Sequence, residues 1–358
     1  MKAGLIGCEA PLVEVYDLAL LDLDGVVYVG PDAVPGAPQA LEAVTAAGLK
    51  VAYVTNNASR PPETVADHLT GLGVPATRDD VVTSAQAAAA LLARRLPRAA
   101  KVLVVGGEGL NQALREAGLT PVASMDDHPQ AVTQGFGPDV GWRLLAEGTR
   151  AVRAGLPWIA TNRDLTVPTP FGPAPGNGTL VAAIATAAEA EPEVAGKPQP
   201  PLFVEAARRY GSSKPIVVGD RLDTDLEGAR AAGMDGLLVL TGVTTATVAL
   251  AAEPPRRPHL ISRDLTGLLA PHPAVTRADD GAWHCRDAAV AVDSAGHVAV
   301  RAAGDDAVDL LRAACAAVWD HADRTQAAAN GHRPPAGVDA TRLLAELHRL
   351  EGDVAWVR

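Results

Sequence analysis

The sequence predicts an α/β protein built on a parallel sheet, because two kinds of pattern alternate along most of the chain. Short apolar runs bounded by Gly, Pro and Asp have the character of buried strands, and longer Ala-rich stretches have the spacing of helices. The strand candidates are Leu18–Leu21, Val51–Val54, Val102–Val105, Trp158–Ala160, Ile216–Val218 and Gly236–Leu240. The helical patterns that follow several of them are Gln39–Ala47, Pro62–Leu72, Ala85–Leu96 and Pro200–Tyr210.

Length and composition predict more than one domain. At 358 residues the chain exceeds the size of one typical core, so two or three domains are expected. A Glu- and Pro-bearing stretch at Glu189–Lys197 and a proline-punctuated connector at Pro254–Pro273 mark candidate boundaries. Beyond the connector the pattern changes, which predicts a small C-terminal α+β module at residues 275–358.

The predicted C-terminal module combines strands with helices. Strand-like pieces at Gly281–Val292 and His297–Arg301 precede two helical patterns, and Gln326–Ala336 has the composition of a loop between them. These helices could pack on the strands of the module, on the preceding domain or on a second subunit. A regulatory role and an oligomerising role are both open.

Composition limits the classes of binding partner and the cell compartment that are expected for this protein. The formal charge of -11 argues against nucleic acid and against anionic membranes, because both require a basic surface. No stretch approaches the roughly 20 apolar residues that cross a bilayer, and Glu14 and Asp17 interrupt any secretory signal. The isolated cysteines Cys8, Cys285 and Cys315 indicate neither a disulfide framework nor a zinc site. A cytoplasmic protein is therefore expected.

A pair of carboxylates follows the first predicted strand. Asp22 and Asp24 come directly after Leu18–Leu21, and Gly25 permits a sharp exit from the strand. The carboxyl edge of a parallel sheet is where ligands of such folds bind, so both carboxylates could converge on one ligand. A surface Asp-Gly turn is the alternative.

Two further segments carry groups that can bind an anion. Thr55 and Asn56 end the strand Val51–Val54 and offer a hydroxyl and amides, although a helix cap before Pro61 is an alternative. Lys197 lies between Gly196 and Pro198, which restrict the loop, although a lysine is more often a solvated surface charge.

The last segment is acidic. Asp220 ends the strand Ile216–Val218 and is followed by Asp223 and Asp225. Carboxylates packed this closely more often serve a hard cation, although Asp225 could instead cap a helix.

The order of these segments, an aspartate pair, a threonine, a lysine and an acidic cluster, resembles that of phosphatases in the haloacid dehalogenase-like hydrolase superfamily. The spacing is similar to the NagD-like and 4-nitrophenylphosphatase-like subgroup, and Ala160–Asp164 is similar to a stretch of its cap. The resemblance covers roughly residues 12 to 265. It implies a Rossmann-like parallel-sheet core at 1–84 and 190–268 and an inserted α/β cap domain at 85–189, with the module at 275–358 outside the family pattern.

The resemblance also implies roles for individual residues. Asp22 would be the nucleophile that forms a phospho-aspartyl intermediate, and Asp24 would be the general acid and then the base. Thr55 and Asn56 would hold the phosphoryl group, and Lys197 would neutralise it and orient Asp22.

Magnesium is the cofactor that the resemblance implies. Asp22, Asp220 and the backbone carbonyl of Asp24 would bind Mg²⁺, and Asp225 would support its water shell. The cap residues expected to face the substrate, or alternatively to form a turn that holds the cap together, are Asn162, Arg163 and Asp164.

The resemblance implies a small phosphorylated metabolite as the substrate, because a cap that covers the site favours small substrates over phosphoproteins. Glycerol 3-phosphate is the first candidate by analogy with cytosolic capped enzymes, and phosphoglycolate, pyridoxal phosphate and nucleotides are alternatives. A phosphotransferase and a non-catalytic phosphometabolite sensor are the competing functions. Homo-oligomers could form through the cap or through the C-terminal module.

Overall fold

The computed structural model describes residues 4–169, 171–328, 338–352 and 354–357. Its helices are α1 (Leu12–Val15), α2 (Ala37–Ala46), α3 (Pro62–Gly71), α4 (Ser84–Ala93), α5 (Glu108–Glu116), α6 (Trp142–Arg153), α7 (Asn177–Ala188), α8 (Pro201–Tyr210), α9 (Glu227–Ala231), α10 (Ala246–Leu250), α11 (Ala307–Ala328) and α12 (Thr341–Glu351). Its strands are β1 (Leu18–Leu21), β2 (Tyr28–Val29), β3 (Asp32–Ala33), β4 (Lys50–Thr55), β5 (Val81–Thr83), β6 (Lys101–Val105), β7 (Thr120–Val122), β8 (Ala131–Gln134), β9 (Trp158–Ala160), β10 (Thr166–Thr169), β11 (Gly172–Pro175), β12 (Glu193–Val194), β13 (Pro215–Gly219), β14 (Asp235–Val239), β15 (Leu260–Ser262), β16 (Thr276–Arg277), β17 (Trp283–Cys285), β18 (Ala288–Val292) and β19 (Val298–Ala302). Short 3₁₀ helices lie at Arg78–Asp80, Met125–Asp127, Pro254–Arg256, Leu265–Leu269 and Ala355–Val357, and a π-helical turn lies at Leu222–Leu226.

The chain divides into two compact units, residues 1–50 with 214–358 and residues 51–213. The first unit contains parallel strands in the order β15, β14, β13, β1. Every residue of β1 is buried, as are four of the five residues in β13 and in β14. Such continuous burial is typical of parallel strands covered on both faces. The arrangement confirms the predicted parallel sheet and places the carboxyl ends of β1, β13 and β14 along one edge.

The C-terminal part of the first unit is an antiparallel sheet, β16 to β19 in sequence order, with α11 against β17 and β18 and α12 against β19. The predicted strands and both predicted helices of this α+β module are present. The predicted loop at Gln326–Ala336 needs one correction, because α11 continues to Ala328; residues 329–336 lie outside the described residues.

Helix α11 packs on the parallel sheet as well as on its own strands. Leu310 and Leu311 share one buried apolar cluster with Leu238 and Ile261 of the parallel strands. On the same helix, the indole nitrogen of Trp319 donates to the carbonyl of Ala249, 3.1 Å away. Residues 275–358 therefore complete the core of the first unit.

A buried polar group also joins helix α11 to the parallel sheet of this unit. The Arg312 guanidinium on α11 donates to the carbonyl of Ile261 on β15, with Nε 3.1 Å from the oxygen, and its other branch pairs with Asp309 at 2.5 Å. It also lies 3.4 Å from Nδ1 of His272, whose Nε2 is 2.9 Å from the carbonyl of Gly267. These partners favour a neutral His272 that donates through Nε2 and accepts through Nδ1.

We expect the stability of the protein to fall as the pH drops below about 6.5, the ordinary pKa of His. Burial, with the nearby Arg312 guanidinium, lowers the pKa of His272 in the folded state. The unfolded chain then binds more protons, so this stability is complete above the unfolded pKa and is lost on acidification, at up to about 1.4 kcal/mol per pH unit. Urea unfolding between pH 7.5 and 5.5 measures the slope.

His272→Gln keeps a donor for Gly267 and removes the titration, so its unfolding free energy is expected to depend less on pH. The control is His297→Gln, because His297 is exposed and pairs with Asp293. Equal slopes for the wild type and His272→Gln would contradict the prediction.

The second unit contains a five-stranded parallel sheet in the order β12, β9, β8, β6, β7. Helices α6 and α7 cover one face through a buried apolar cluster that includes Val132, Val152 and Ile184. The unit also contains the parallel pair β4 and β5 and the antiparallel hairpin of β10 and β11. This second α/β sheet agrees with the fold class predicted from the sequence. The exact domain limits stay a prediction.

Among the residues that the structure describes, no helix has the length and apolar character to cross a membrane.

Candidate active site

Three carboxylates meet at the carboxyl edge of the parallel strands in the first unit. Leu21 of β1 pairs with Val218 of β13, and the Asp22 N–H continues the ladder to the Val218 carbonyl at 2.9 Å. Asp22 therefore lies beside the end of β13, where Asp220 follows. Carboxylate oxygens of Asp22, Asp220 and Asp225 all lie within 4.8 Å of one another.

The two buried members of this carboxylate cluster are held by backbone amides. Oδ2 of Asp220 accepts from the Val243 N–H at 2.7 Å, and Oδ2 of Asp225 accepts from the Arg221 N–H at 3.2 Å. Asp220 is 1% exposed and Asp225 is fully buried, whereas Asp22 is only partly buried. Asp22 is therefore the most solvent-accessible carboxylate of the cluster, and backbone hydrogen bonds fix the other two.

Two glycines make room for Asp220. A Cβ atom at Gly25 or at Gly242 would clash with the Asp220 carboxylate, and Gly25 also has a φ of +79°. The hydroxyl of Thr241, next to Gly242, donates to the Gly25 carbonyl at 2.5 Å. Neither Thr241 nor Gly242 was predicted as a site residue from the sequence. The available signal was a pair of small residues, a threonine and a glycine, directly after the predicted strand Gly236–Leu240.

Asp24 lies on a tight loop that begins where β1 ends. The Val27 N–H donates to the Leu23 carbonyl at 2.9 Å, and the Gly25 N–H donates to the Tyr28 carbonyl at 2.8 Å. The loop leaves Asp24 exposed. Solvent access is compatible with the proton transfers predicted for this residue.

Asp223 is outside the carboxylate cluster, although it lies between two of its members in sequence. Its carboxylate forms a two-point ion pair with Arg221, with distances of 3.1 and 2.9 Å. The hydrogen bond from Arg221 is the largest influence on Asp223 and lowers its pKa. Both carboxylate oxygens of Asp223 are therefore engaged by the Arg221 guanidinium.

The carboxylate cluster fits a hard divalent cation. Its donors are all oxygens, and three carboxylates this close together repel one another unless a cation or protons offset their charge. Mg²⁺ prefers oxygen ligands, is bound through few carboxylates and keeps several waters. The residues therefore match the predicted magnesium site.

In the second unit, the structure brings together predicted residues that are distant in sequence. The Asn56 side chain accepts from the Lys197 N–H at 2.8 Å and donates to Oδ1 of Asp164 at 3.2 Å. Lys197 is only 4% exposed, so the solvated alternative for this lysine is wrong. The hydroxyl of Thr55 accepts from the Asn57 N–H at 3.1 Å, so it caps the turn after β4 and not helix α3.

The three cap residues separate into two groups. Asn162 is buried and donates to the Asn56 carbonyl at 2.7 Å, and Asp164 contacts the Asn56 amide as described. Arg163 is exposed and pairs with Glu191 at 2.8 Å. The substrate-binding role expected from the sequence stays a prediction for all three.

Comparison with known proteins identifies the family. A haloacid dehalogenase-like hydrolase profile matches residues 19–120, and a second profile, described as HAD-hydrolase-like, matches residues 194–268. D-glycerol 3-phosphate phosphatase from Mycobacterium tuberculosis is 45% identical over 342 residues, which cover 94% of this chain and 95% of the relative.

Solved structures give the same result. The glycerol phosphate phosphatase from Mycobacterium tuberculosis in complex with magnesium superimposes with a TM-score of 0.83 at 43% identity, covering 96% of this chain and 99% of that one. The 4-nitrophenylphosphatase from Thermotoga maritima gives a TM-score of 0.66 at 29% identity, covering 72% of this chain and 98% of that one.

The extent of these matches bears on the C-terminal module. Because the Mycobacterium tuberculosis relative aligns with 94% of the chain, the similarity includes most of residues 275–358. The Thermotoga maritima structure covers only 72% of the chain. The resemblance predicted from the motifs is confirmed: this chain belongs to the haloacid dehalogenase-like hydrolase family.

Proposed function

We propose that this protein is a magnesium-dependent phosphatase that hydrolyses a small phosphomonoester through a phospho-aspartyl intermediate on Asp22, with glycerol 3-phosphate as its substrate. The observation that carries the proposal is the carboxylate cluster at the carboxyl edge of the sheet. It occurs in a chain that aligns along nearly its whole length with a D-glycerol 3-phosphate phosphatase.

The enzyme class predicted from the motifs is confirmed by the relatives. They include the D-glycerol 3-phosphate phosphatase and an acid sugar phosphatase from Staphylococcus aureus, which is 39% identical over 232 residues. Structures of the glycerol phosphate phosphatase hold magnesium or calcium, in agreement with the cofactor predicted here.

The carboxylates of Asp22 and Asp220 and the backbone carbonyl of Asp24 would hold Mg²⁺, with Asp225 supporting its water shell. When bound, the ion supplies positive charge that offsets the repulsion between a phosphate dianion and an incoming carboxylate. Asp220 and Asp225 are suited to this role because backbone amides already fix both carboxylates.

In the first step, a carboxylate oxygen of Asp22 attacks phosphorus and forms the acyl phosphate bond. The bond between phosphorus and the ester oxygen breaks, and Asp24 donates a proton to the leaving alcohol. Acid assistance of this kind contributes about 10²–10⁴-fold to the rate.

In the second step, Asp24 accepts a proton from a water molecule that attacks the same phosphorus. The bond between phosphorus and the Asp22 oxygen breaks, which releases inorganic phosphate and restores both carboxyl groups. An exposed loop suits Asp24, since the residue exchanges a proton with the alcohol and then with water.

The remaining assignments come from the family motifs. Thr55 and Lys197 are proposed to bind the phosphoryl group, with Lys197 as a compact positive charge. A cytoplasmic location and a homo-oligomer stay predictions, as does the contact of Arg163 with the substrate.

Phosphate release from a panel of small esters tests the proposal. We expect turnover with Mg²⁺ and glycerol 3-phosphate to exceed that with phosphoglycolate, pyridoxal phosphate and a nucleoside monophosphate. Chelation of the metal is expected to slow turnover by at least about 10²-fold, because the cation supplies several kcal/mol of charge stabilisation. Added Mg²⁺ should restore it.

Two outcomes would contradict the proposal. Release that is unaffected by chelation would exclude the magnesium site. Turnover of another ester in the panel at a higher kcat/KM would exclude glycerol 3-phosphate as the preferred substrate.

A further inference from the structure

Three asparagines form a series in which the side-chain amide of each donates to the backbone carbonyl of the next residue. The last amide in the series contacts the backbone of Lys197. The members of this amide series are Asn177, Asn162 and Asn56. We propose that the series positions Lys197 for phosphoryl binding, so that Asn56, Asn162 and Asn177 are positioning residues of the active site. The inference rests on the proposed function for the role of Lys197.

The Asn56 side chain forms two hydrogen bonds with the backbone of Lys197. Its Oδ1 accepts from the Lys197 N–H at 2.8 Å, and its Nδ2 donates to the Lys197 carbonyl at 3.2 Å. The second hydrogen of Nδ2 points to Oδ1 of Asp164, also at 3.2 Å. A primary amide has two donors, so these contacts use both of them. The side chain is therefore committed to protein groups and not to a phosphate.

Two donors in turn hold the backbone of Asn56. Its backbone carbonyl accepts two hydrogen bonds, from the Ser84 hydroxyl at 2.6 Å and from Nδ2 of Asn162 at 2.7 Å. Both donors fix the peptide group between Asn56 and Asn57. The same residue thus connects the turn after β4 to the loop that carries Lys197.

The amide series continues from Asn162 to helix α7. Oδ1 of Asn162 accepts from the Asp164 N–H at 3.2 Å, which holds the amide in the orientation that donates to Asn56. The Asn162 carbonyl accepts from Nδ2 of Asn177, the first residue of α7, at 2.7 Å. Asn162 and Asn177 are 4% and 1% exposed, so water does not compete for these bonds. The motifs in the sequence gave no indication of Asn177.

The contact between the Gly196 backbone and the Asn56 side chain is tightly packed. A Cβ atom at Gly196 would clash with Oδ1 of Asn56 and with the carbonyl of Thr161. The loop before Lys197 therefore packs directly on the amide series. Since the Lys197 side chain has four rotatable carbons, a fixed and buried backbone is what makes the position of its ammonium reproducible.

Asn56→Ala and Lys197→Met, alone and combined, test whether Asn56 acts through Lys197. We expect Asn56→Ala to lower kcat for phosphate release by about 10²-fold, the scale of a displacement near 1 Å. In the Lys197→Met background, the same change is expected to lower kcat by less than about threefold, because the group that it positions is already gone. 4-Nitrophenyl phosphate, with a good leaving group, keeps the slow variants measurable.

A second readout separates positioning from general damage. The side-chain contacts of Asn56 described above do not involve Asp22, Asp220 or Asp225, so the affinity of Asn56→Ala for Mg²⁺ is expected to stay within about twofold of wild type by calorimetric titration. The matched control is Asn111→Ala, because Asn111 also donates to a backbone carbonyl, that of Gly107, at 3.2 Å. It is expected to retain the wild-type kcat.

Asn56→Asp and Asn162→Ala serve if Asn56→Ala does not fold. The aspartate keeps the volume and the acceptor and loses both donors, so a similar loss of kcat is expected.

The outcomes distinguish the inference from the proposed function. Additive losses in Asn56→Ala and Lys197→Met, or a tenfold loss of Mg²⁺ affinity in Asn56→Ala, would overturn the positioning role alone. A wild-type kcat in Lys197→Met would overturn the role of Lys197 in the proposed function, and the inference with it.

Discussion

Asp22→Asn is expected to abolish phosphate release and leave the protein folded. An amide oxygen is far too weak a nucleophile to form the acyl phosphate, and the substitution also removes one charge from the carboxylate cluster. We expect kcat to fall by about 10⁴-fold or more, as for other nucleophile replacements. Phosphate release from glycerol 3-phosphate at saturating Mg²⁺ measures the loss, and a thermal melt checks the fold.

Asp223→Asn is the matched control for this prediction. Asp223 is an acidic neighbour of the cluster in sequence, but its carboxylate is paired with Arg221. The same chemical change there is expected to leave kcat within about threefold of wild type, since exposed ion pairs contribute little. An Asp22→Asn enzyme with more than residual turnover would exclude the phospho-aspartyl mechanism.

The intermediate itself can be trapped in a companion variant. Asp24→Asn lacks the base for the second step, whereas a nitrophenolate leaves without an acid in the first. A burst of nitrophenol followed by slow turnover is therefore expected, with the phosphoryl group on Asp22. A phosphoryl group found on any other residue would overturn the assignment of the nucleophile.

The parallel strands were predictable where a continuous apolar run made the signal unambiguous. Leu18–Leu21 and Trp158–Ala160 are strands with the predicted bounds, because parallel strands covered on both faces need apolar residues without interruption. Strands β5 and β8 were missed. Val81–Thr83 has only two apolar residues, Val81 and Val82, and Ala131–Gln134 contains the buried polar pair Thr133 and Gln134, so neither has an apolar run long enough to detect.

The carboxylate cluster was predictable in part. Acidic residues after two predicted strands indicated Asp22 and Asp220, because parallel strands bring such positions to one edge. The sequence could not show that Asp223 pairs with Arg221 while Asp225 turns inward, since both are aspartates in one short turn. Their difference depends on the π-helical turn at Leu222–Leu226.

The amide series was outside the reach of sequence reasoning. Asn56 and Lys197 are 141 positions apart, and the bonds join side-chain amides to backbone groups. A backbone acceptor carries no sequence signature. Only the fold shows that Asn162, predicted as a residue facing the substrate or holding a turn, donates to Asn56.

Truncation after Leu269 is expected to prevent the rest of the first unit from folding. Leu240, Leu250 and Ile261 would lose their apolar partners on α11, and each large apolar side chain returned to water costs about 1.5–3 kcal/mol. The buried Arg257 would also lose its ion pair with Asp323, at 2.6 and 2.8 Å. Together these losses approach the whole stability of a typical domain, about 5–15 kcal/mol, so aggregation and no cooperative melt are expected.

Arg312→Ala tests the same junction without removing the module. It leaves the buried Asp309 carboxylate without this guanidinium and removes a donor from the Ile261 carbonyl, so a loss of about 3–5 kcal/mol in unfolding free energy is expected. Arg324→Ala, on the same helix, removes an exposed guanidinium that pairs with Asp320 and should cost no more than about 0.5 kcal/mol. A truncated chain that melts cooperatively at the wild-type temperature, or equal effects of the two arginine variants, would show that the module folds independently of the parallel sheet. The regulatory role left open by the sequence can be tested by truncation only in that case, because otherwise removal of the module destroys the sheet edge that holds Asp220.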